Sequence, residues 1–289
     1  MNQSSPAERV SVVSVCFNSN EVVRKMIKTI PPECQIILVD NGSDDIQVLH
    51  ELTDEANTRL IANDENKGFG SACNQGAQLA DRDFLLFQNP DTLLSENTVQ
   101  EMVLAADRNP SASAFNPRIS NENGSPYFKR GSCLISSAEK MPRGWPEQDQ
   151  EVSILSGASL MVRRKDFEAI SGFDPAIFLY HEDDDLALRL RSECGSLMFV
   201  RNALVTHAQG QSTATTPTIA ALKAFHMGQS RVYTARKHNR SFPFSRALGL
   251  AIFQLFSPVV LLSKRKRSKQ VAFLKGVLKS SELSSSQNI

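Results

Sequence analysis

Asp91 closes the run Asn89-Pro90-Asp91-Thr92, directly after the apolar segment 84–87. A carboxylate at the end of a buried strand can hold Mg²⁺ or Mn²⁺ against a diphosphate, because such hard cations take oxygen ligands and keep several waters. The same residue also reads as the cap of a helix predicted over 96–106, where an Asp satisfies unpaired N–H groups. Asp40 is equally ambiguous, since Asp40-Asn41-Gly42-Ser43 is good turn sequence. A glycine-bearing turn, Asn66-Lys67-Gly68-Phe69-Gly70-Ser71-Ala72-Cys73, runs into a predicted helix and offers N–H groups and Lys67 to a phosphate. Tyr180-His181-Glu182-Asp183-Asp184-Asp185-Leu186 opens another helix. One or two acids there suit the helix dipole, but four adjacent ones repel. The surplus points to a cation to be faced or a proton to be accepted. His207 ends a predicted strand over 197–205 and, taken alone, reads as a core histidine.

Alternating strand and helix patterns must position these groups. Strands are predicted over 10–17, 35–39, 59–62, 84–87 and 113–115, with helices over 21–30, 71–79 and 96–106. Repeated βα units imply a Rossmann-like, mainly parallel central sheet flanked by helices on both faces. Ligands in such sheets sit beyond the carboxyl ends of the strands, and Asn18, Asp40, residues 66–70 and Asp91 all fall there. Between 116 and 150 the periodicity fails. That stretch reads as a surface excursion, either part of an acceptor-binding face or an ordinary loop. A strand interrupted by Gly157 follows over 152–162, then a helix over 184–194 and another over 218–238. The polar stretch 208–218 between the last strand and helix reads as a loop.

With 41% hydrophobic and 22% charged residues the composition is that of a globular protein, not a disordered one. Five scattered cysteines with no C-x-x-C pair argue against a disulfide framework and a zinc ribbon, and suit a reducing compartment. The polar residues 1–9 carry no apolar signal-peptide core. The glycine turn nearly matches G-x-G-x-x-G, and Asp91 stands where an acid would follow, so a dinucleotide oxidoreductase enters the comparison. Against it, the first βα turn, Asn18-Ser19-Asn20, has no glycine, and nothing later supplies a second nucleotide half. No Walker A sequence occurs.

In order along residues 10–240, these segments resemble the family-2 glycosyltransferases, within them the bacterial rhamnosyltransferase-like group. The matching runs begin with Val12-Val13-Ser14-Val15-Cys16-Phe17-Asn18-Ser19, Val39-Asp40-Asn41-Gly42-Ser43-Asp44-Asp45, Asn66-Lys67-Gly68-Phe69-Gly70 and Asn74-Gln75-Gly76. Asn89-Pro90-Asp91, Ser156-Gly157-Ala158, Gly172-Phe173-Asp174 and Tyr180-x-Glu182-Asp183-x-Asp185-Leu186 complete them. The resemblance implies a GT-A fold and an inverting hexosyltransferase. It implies Asp183 as catalytic base, and Phe17, Asn18, Asp40, Asn66, Lys67, Gly68, Asn74 and Asn89 as contacts of a nucleotide-sugar donor. It implies Asp91 and His207, the latter in His207-x-x-Gly210-x-Ser212, as holders of a divalent metal. Asp91 matches the last acid of the family's D-x-D motif, and Asn89 stands where many relatives have the first. The subgroup suggests dTDP-L-rhamnose as donor, though no residue separates it from a UDP-sugar.

The net charge of +1 conceals an asymmetry. Residues 231–289 hold 12 of the 32 basic residues and one of the 31 acids, leaving 20 basic and 30 acidic in the first 230. The acidic body argues against nucleic acid as partner. The expected organisation is a GT-A domain over 1–240 and a helical, membrane-associating extension over 241–289. Residues 247–262 are uncharged and at ~1.5 Å per residue reach only about 24 Å, short of a ~30 Å hydrocarbon core. Pro258 kinks them, and Lys264-Arg265-Lys266-Arg267 follow. An apolar segment beside a basic cluster favours lying on an anionic leaflet. The expectation is a cytoplasmic enzyme, peripheral on the inner face of the cytoplasmic membrane, using a polyprenyl-linked saccharide acceptor in cell-surface polysaccharide assembly. A dimer or core helix in the tail, or a non-catalytic nucleotide-sugar-binding protein on the same fold, are the alternatives.

Overall fold

Unbroken apolar runs form the inner strands, and helices cover them on both sides. The computed structural model describes residues 5–53, 57–208 and 216–280. A 3-10 turn (Pro6–Arg9) leads into β1 (Val10–Cys16), α1 (Asn20–Ile27), β2 (Gln35–Asn41), α2 (Gln47–Thr53), β3 (Thr58–Asn63), α3 (Phe69–Gln78) and β4 (Phe84–Gln88). Next come β5 (Thr92–Leu94), α4 (Thr98–Arg108), β6 (Ala112–Asn121), β7 (Gln150–Glu151), β8 (Ser159–Arg163) and α5 (Arg164–Ala169). The remaining elements are α6 (Glu182–Glu193), β9 (Ser196–His207), α7 (Pro217–Lys237), α8 (Pro243–Leu255), α9 (Pro258–Leu261) and α10 (Lys264–Lys279).

The strand order is β3-β2-β1-β4-β8-β6-β9-β5, with β7 on β9. β1 to β4 pair in parallel, as do β6 and β9, whereas β8, β5 and β7 run antiparallel to their neighbours. Burial on both faces explains why the strands read as continuous apolar runs. Val10, Val12, Ile36 and Leu38 pack against α1, α2 and α4, while Val13, Val15, Ile37 and Val39 pack against α3, α5 and α6. Each such side chain contributes about 1.5–3 kcal/mol of burial.

Two local expectations change. The sequence reading has no element between Asp91 and the helix over 96–106, but the structure inserts β5, because Leu94 pairs with Val205 and Thr92 with His207. Asp91 is therefore not a helix cap, and Asn97 holds that position for α4. The strand read over 152–162 shrinks to β8. Asn116 holds the preceding residues in a turn, donating through Nδ2 to the carbonyls of Ser156 and Ser159 and accepting the Ser156 N–H. Most of the polar 208–218 stretch, with Gly210 and Ser212, lies outside the described residues.

α7, α8 and α10 share a small apolar cluster of Ala224, Val232, Ala247, Ala251, Phe273 and Val277. Glycines let α7 and α10 meet backbone to backbone: a Cβ on Gly276 would lie 1.9 Å from the Phe225 carbonyl oxygen. One on Gly228 would lie 2.4 Å from that of Phe273. The uncharged stretch breaks between α8 and α9, with Pro258 starting the second helix. No helix among the described residues is long and apolar enough to cross a membrane.

Candidate active site

The chain order reverses at β1, which has β2 on one side and β4 on the other, and a crevice opens beyond their carboxyl ends. A cavity of about 1310 Å³ lies there, walled on the sheet side by Phe17, Asn18, Asn41, Asn66, Gly68 and Asn89. Facing them are Tyr127 and Lys129 from the 122–149 excursion, then Glu182, Asp183 and Asp184 at the start of α6. Leu222, His226 and Met227 of α7 form another wall.

Asp40 sits behind this wall, buried at the end of β2. Its Oδ2 accepts the N–H groups of Gly42 and Ser43 at 3.2 and 3.0 Å, while Oδ1 is buried with no partner among the described residues. Its neighbour Asn41 ties down the glycine turn, donating to Asn66 Oδ1 and the Gly68 carbonyl and accepting the Lys67 N–H. Gly68 has φ +87°, and a Cβ there would lie 2.6 Å from the Phe178 carbonyl oxygen, so no other residue fits without a shift. Lys67 has an exposed side chain and does not line the cavity. Asn74 is placed elsewhere. Both halves of its amide bond the Phe173 backbone, beside a separate small hollow.

Asp91 and His207 come together, but neither is in the cavity lining, which their neighbours Asn89, Pro90 and Tyr127 supply. His207 Nε2 lies 3.3 Å from Asp91 Oδ1, and both side chains are buried. Asp91 Oδ1 and His207 Nδ1 have no hydrogen-bond partner among the described residues, and the Tyr127 ring meets the imidazole edge-on at 4.5 Å. Unpaired polar atoms at such depth are costly, and a cation would satisfy them. No group of three or more His, Cys, Asp or Glu able to hold a metal occurs among the described residues. The pair therefore suits an ion that takes its remaining ligands from diphosphate oxygens and water, as Mg²⁺ and Mn²⁺ do.

The acid cluster is folded inward by two successive left-handed residues, Tyr180 (φ 67°) and His181 (φ 66°). Non-glycine residues in that region persist only where the surroundings hold them. Here the Ser230 hydroxyl donates to the Leu179 carbonyl, the Phe69 N–H donates to that of Phe178, and the Phe178 ring stacks on His226 at 4.3 Å. Asp183 Oδ2 accepts from Lys129 Nζ at 2.7 Å and from the Gly157 N–H at 2.9 Å, and Oδ1 accepts the Asp184 N–H. Lys129 Nζ also lies 2.7 Å from Asp184 Oδ1. Burial works against the Lys129 charge, but Asp183 and Asp184 outweigh it and hold the ammonium above its ordinary range.

Burial likewise opposes His181, yet its bond to Asp184 at 2.8 Å and its contact with Cys133 raise it to about 9. Burial also opposes ionisation of Asp184, but the hydrogen bond from His181 and the Lys129 charge hold its carboxyl below the usual range. Glu182 goes the other way: burial, then the Asp183 charge, push its carboxyl well up. Asp185 turns away from the cavity, to Arg189, Lys237 and His238. These partners, with the His238 hydrogen bond foremost, override its burial and keep its carboxyl down at about 2.

Sequence reasoning missed Lys129, Tyr127 and Asn41. The unbalanced charge of four adjacent acids signals that a cation must reach them. Which cation depends on a contact spanning 54 residues, which no local pattern carries.

A family model for glycosyl transferase family 2 matches residues 11–171. The chain is 30% identical over 233 residues to an N-acetylglucosaminyl-diphospho-decaprenol L-rhamnosyltransferase of Mycobacterium tuberculosis, with 71% of this chain and 75% of that protein covered. Among solved structures it resembles S. aureus TarS 1–349 in complex with UDP-GlcNAc, with a TM-score of 0.57 at 17% identity over 96% of this chain and 83% of that one. It also resembles a mannosyltransferase from Pyrobaculum calidifontis in complex with GDP-Man and Mn²⁺, with a TM-score of 0.59 at 16% identity over 94% and 87%. These likenesses establish the GT-A type of fold.

Proposed function

The chain belongs to glycosyl transferase family 2, and on that footing we propose that it transfers L-rhamnose from dTDP-L-rhamnose to a hydroxyl of a lipid-linked saccharide, inverting the anomeric carbon. One observation carries the reading. A single cavity is lined by a carboxylate anchored by Lys129, and Tyr127 in the same lining packs on His207 of the buried and unsatisfied pair Asp91 and His207.

The donor lies across the ends of β1, β2 and β4. Asp40 Oδ1 accepts the ring N–H of thymine, with Phe17 and Asn18 beside it and Asn66 and Gly68 against the ribose and phosphates. Asn89 faces the sugar diphosphate. A divalent ion held by Asp91 and His207 offsets, when bound, the charge that builds on the departing diphosphate. On the other side of the sugar, Asp183 receives the proton of the acceptor hydroxyl, a role worth ~10²–10⁴ in rate. Uracil carries the same ring N–H as thymine, so a UDP-sugar is the second reading, and a structural neighbour does hold UDP-GlcNAc.

Residues 1–240 act as the catalytic body and 241–289 as an accessory region. On α8, α9 and the turns flanking them, Phe242, Phe253, Phe256 and Leu262 are 74%, 77%, 73% and 89% exposed, and the exposed Lys264-Arg265-Lys266-Arg267 follow. Such a surface suits an anionic membrane face, the inner face of the cytoplasmic membrane, where a polyprenyl-linked acceptor for cell-surface polysaccharide would be found. The test is a panel of nucleotide sugars with Mg²⁺ or Mn²⁺, following thermal stabilisation and nucleotide release. Preference for dTDP-L-rhamnose is expected, preference for a UDP-sugar selects the second reading, and silence across the panel sinks both.

A further inference from the structure

Asp183 offers its acceptor few ways to approach. A carboxylate has about four lone-pair positions. Two on Oδ2 are taken by Lys129 Nζ and the Gly157 N–H, and one on Oδ1 by the Asp184 N–H. The one position left open among the described residues is on Oδ1, and Asp183 lines the cavity. Lys129 is delivered by a strap of alternating side chains: Tyr127 meets His207, Phe128 packs into the core against Phe199, and Lys129 reaches the acids.

We infer that Lys129 is the positioning residue of the transfer: it pins Asp183 through Oδ2, leaves Oδ1 for the acceptor hydroxyl, and keeps a counter-charge when the proton arrives. As the acceptor oxygen bonds to the anomeric carbon, the bond to the diphosphate breaks and its electron pair leaves with the diphosphate. The hydroxyl proton moves to Asp183 Oδ1. Asp183 becomes neutral, and Lys129 stays paired with Asp184 at 2.7 Å, so no buried charge is stranded at the moment of transfer. Without Lys129, Asp183 and Asp184 would lose the ammonium that both carboxylates meet at 2.7 Å. Near Asp183 lie Glu182 and Asp184 from the start of α6 and Tyr127 and Lys129 from the strap, and His181, Lys223, His226 and Arg231 line the same cavity.

The inference rests on Asp183 being the base, so its test has an arm that needs no turnover. In Lys129→Met, the acidic limb of the pH profile of kcat/KM moves to higher pH by about 1 unit or more, since removing an opposite charge at this range changes a carboxyl by roughly 1–3 units. At pH 7 kcat falls by roughly 10-fold or more, with donor KM little changed. Lys129→Arg, which keeps the charge, restores the limb. In parallel, carboxyl ¹³C NMR follows Asp183, assigned by its loss in Asp183→Asn, and its titration in Lys129→Met moves upward by the same amount. A Lys129→Met chain that loses activity or thermal stability with an unmoved limb and an unmoved carboxyl titration makes Lys129 a mere structural tie and overturns the inference. A wild-type chain that transfers no sugar defeats the assignment of the base, and the catalytic role with it, whatever the titration shows.

Discussion

Two runs of like charge sit in this chain, and the fold treats them in opposite ways. Glu182 to Asp185 are turned inward, each of the aspartates meeting a cation, from Lys129 and His181 on one side to Arg189, Lys237 and His238 on the other. Lys264 to Arg267 are exposed on the first turn of α10 with no ion pair among the described residues. A buried charge must be matched within the molecule, because its loss of hydration is large. A solvated one is left to be matched by something outside. A run of four like charges is thus matched from within the fold in one place and left facing outward in the other.

Asp183→Ala breaks the inner run at its proposed base and is expected to lower kcat by ~10²–10⁴-fold, measured on purified chain with the preferred donor. Normal turnover would end the assignment. Replacing Lys264, Arg265, Lys266 and Arg267 together by glutamine tests the outer run. At about 1 kcal/mol per charge near an anionic surface, the variant should leave phosphatidylglycerol vesicles in a sedimentation assay while transfer to a soluble acceptor is unchanged. If it binds vesicles like the parent, the two runs do not differ as described. Asp185→Asn should cost about 3 kcal/mol of stability in denaturant unfolding, because three cationic groups lose the carboxylate they converge on. At low pH the same contact weakens: its stabilisation is present above the ordinary carboxylate range and is lost as pH falls towards about 2.

Glu182 gives the smallest and most specific test. Its carboxyl keeps a proton in the folded chain up to about 8 but ionises in the unfolded chain in the ordinary range, so stability declines as pH rises between the two. Glu182→Gln should flatten the fall in Tm from pH 5 to 6.5, a difference of about 1 kcal/mol per pH unit. His181 acts outside that window. Its stabilisation is complete below about 6.5 and is lost as pH rises through about 9. Equal slopes for parent and variant between pH 5 and 6.5 would show Glu182 to be solvated.

The parallel half of the sheet was legible because its strands, buried on both faces, are written as apolar runs such as Val10 to Cys16. The ends of those strands were legible too, and Asn18, Asn66, Gly68, Asn89 and Asp183 do converge on one cavity. What escaped notice depends on distant contact. β5 forms beside β9, so a local reading passes from Asp91 to the helix over 96–106 with no strand between. Lys129 and Tyr127 stand in a stretch without periodicity, where side-chain direction is set by Phe128 finding the core. Asn74 matched a run by its letters, but its amide serves the Phe173 backbone.

The glycine contact between α7 and α10 has a mechanical consequence. α7 supplies a wall of the cavity with Leu222, His226 and Met227, and its Gly228 is pressed against α10. The C-terminal helices are therefore bolted to the wall of the cavity and not tethered to it by a leash. If α8 and α9 rest on a surface, the cavity is held at one height and one tilt above it by a helix crossing, not by the length of a linker.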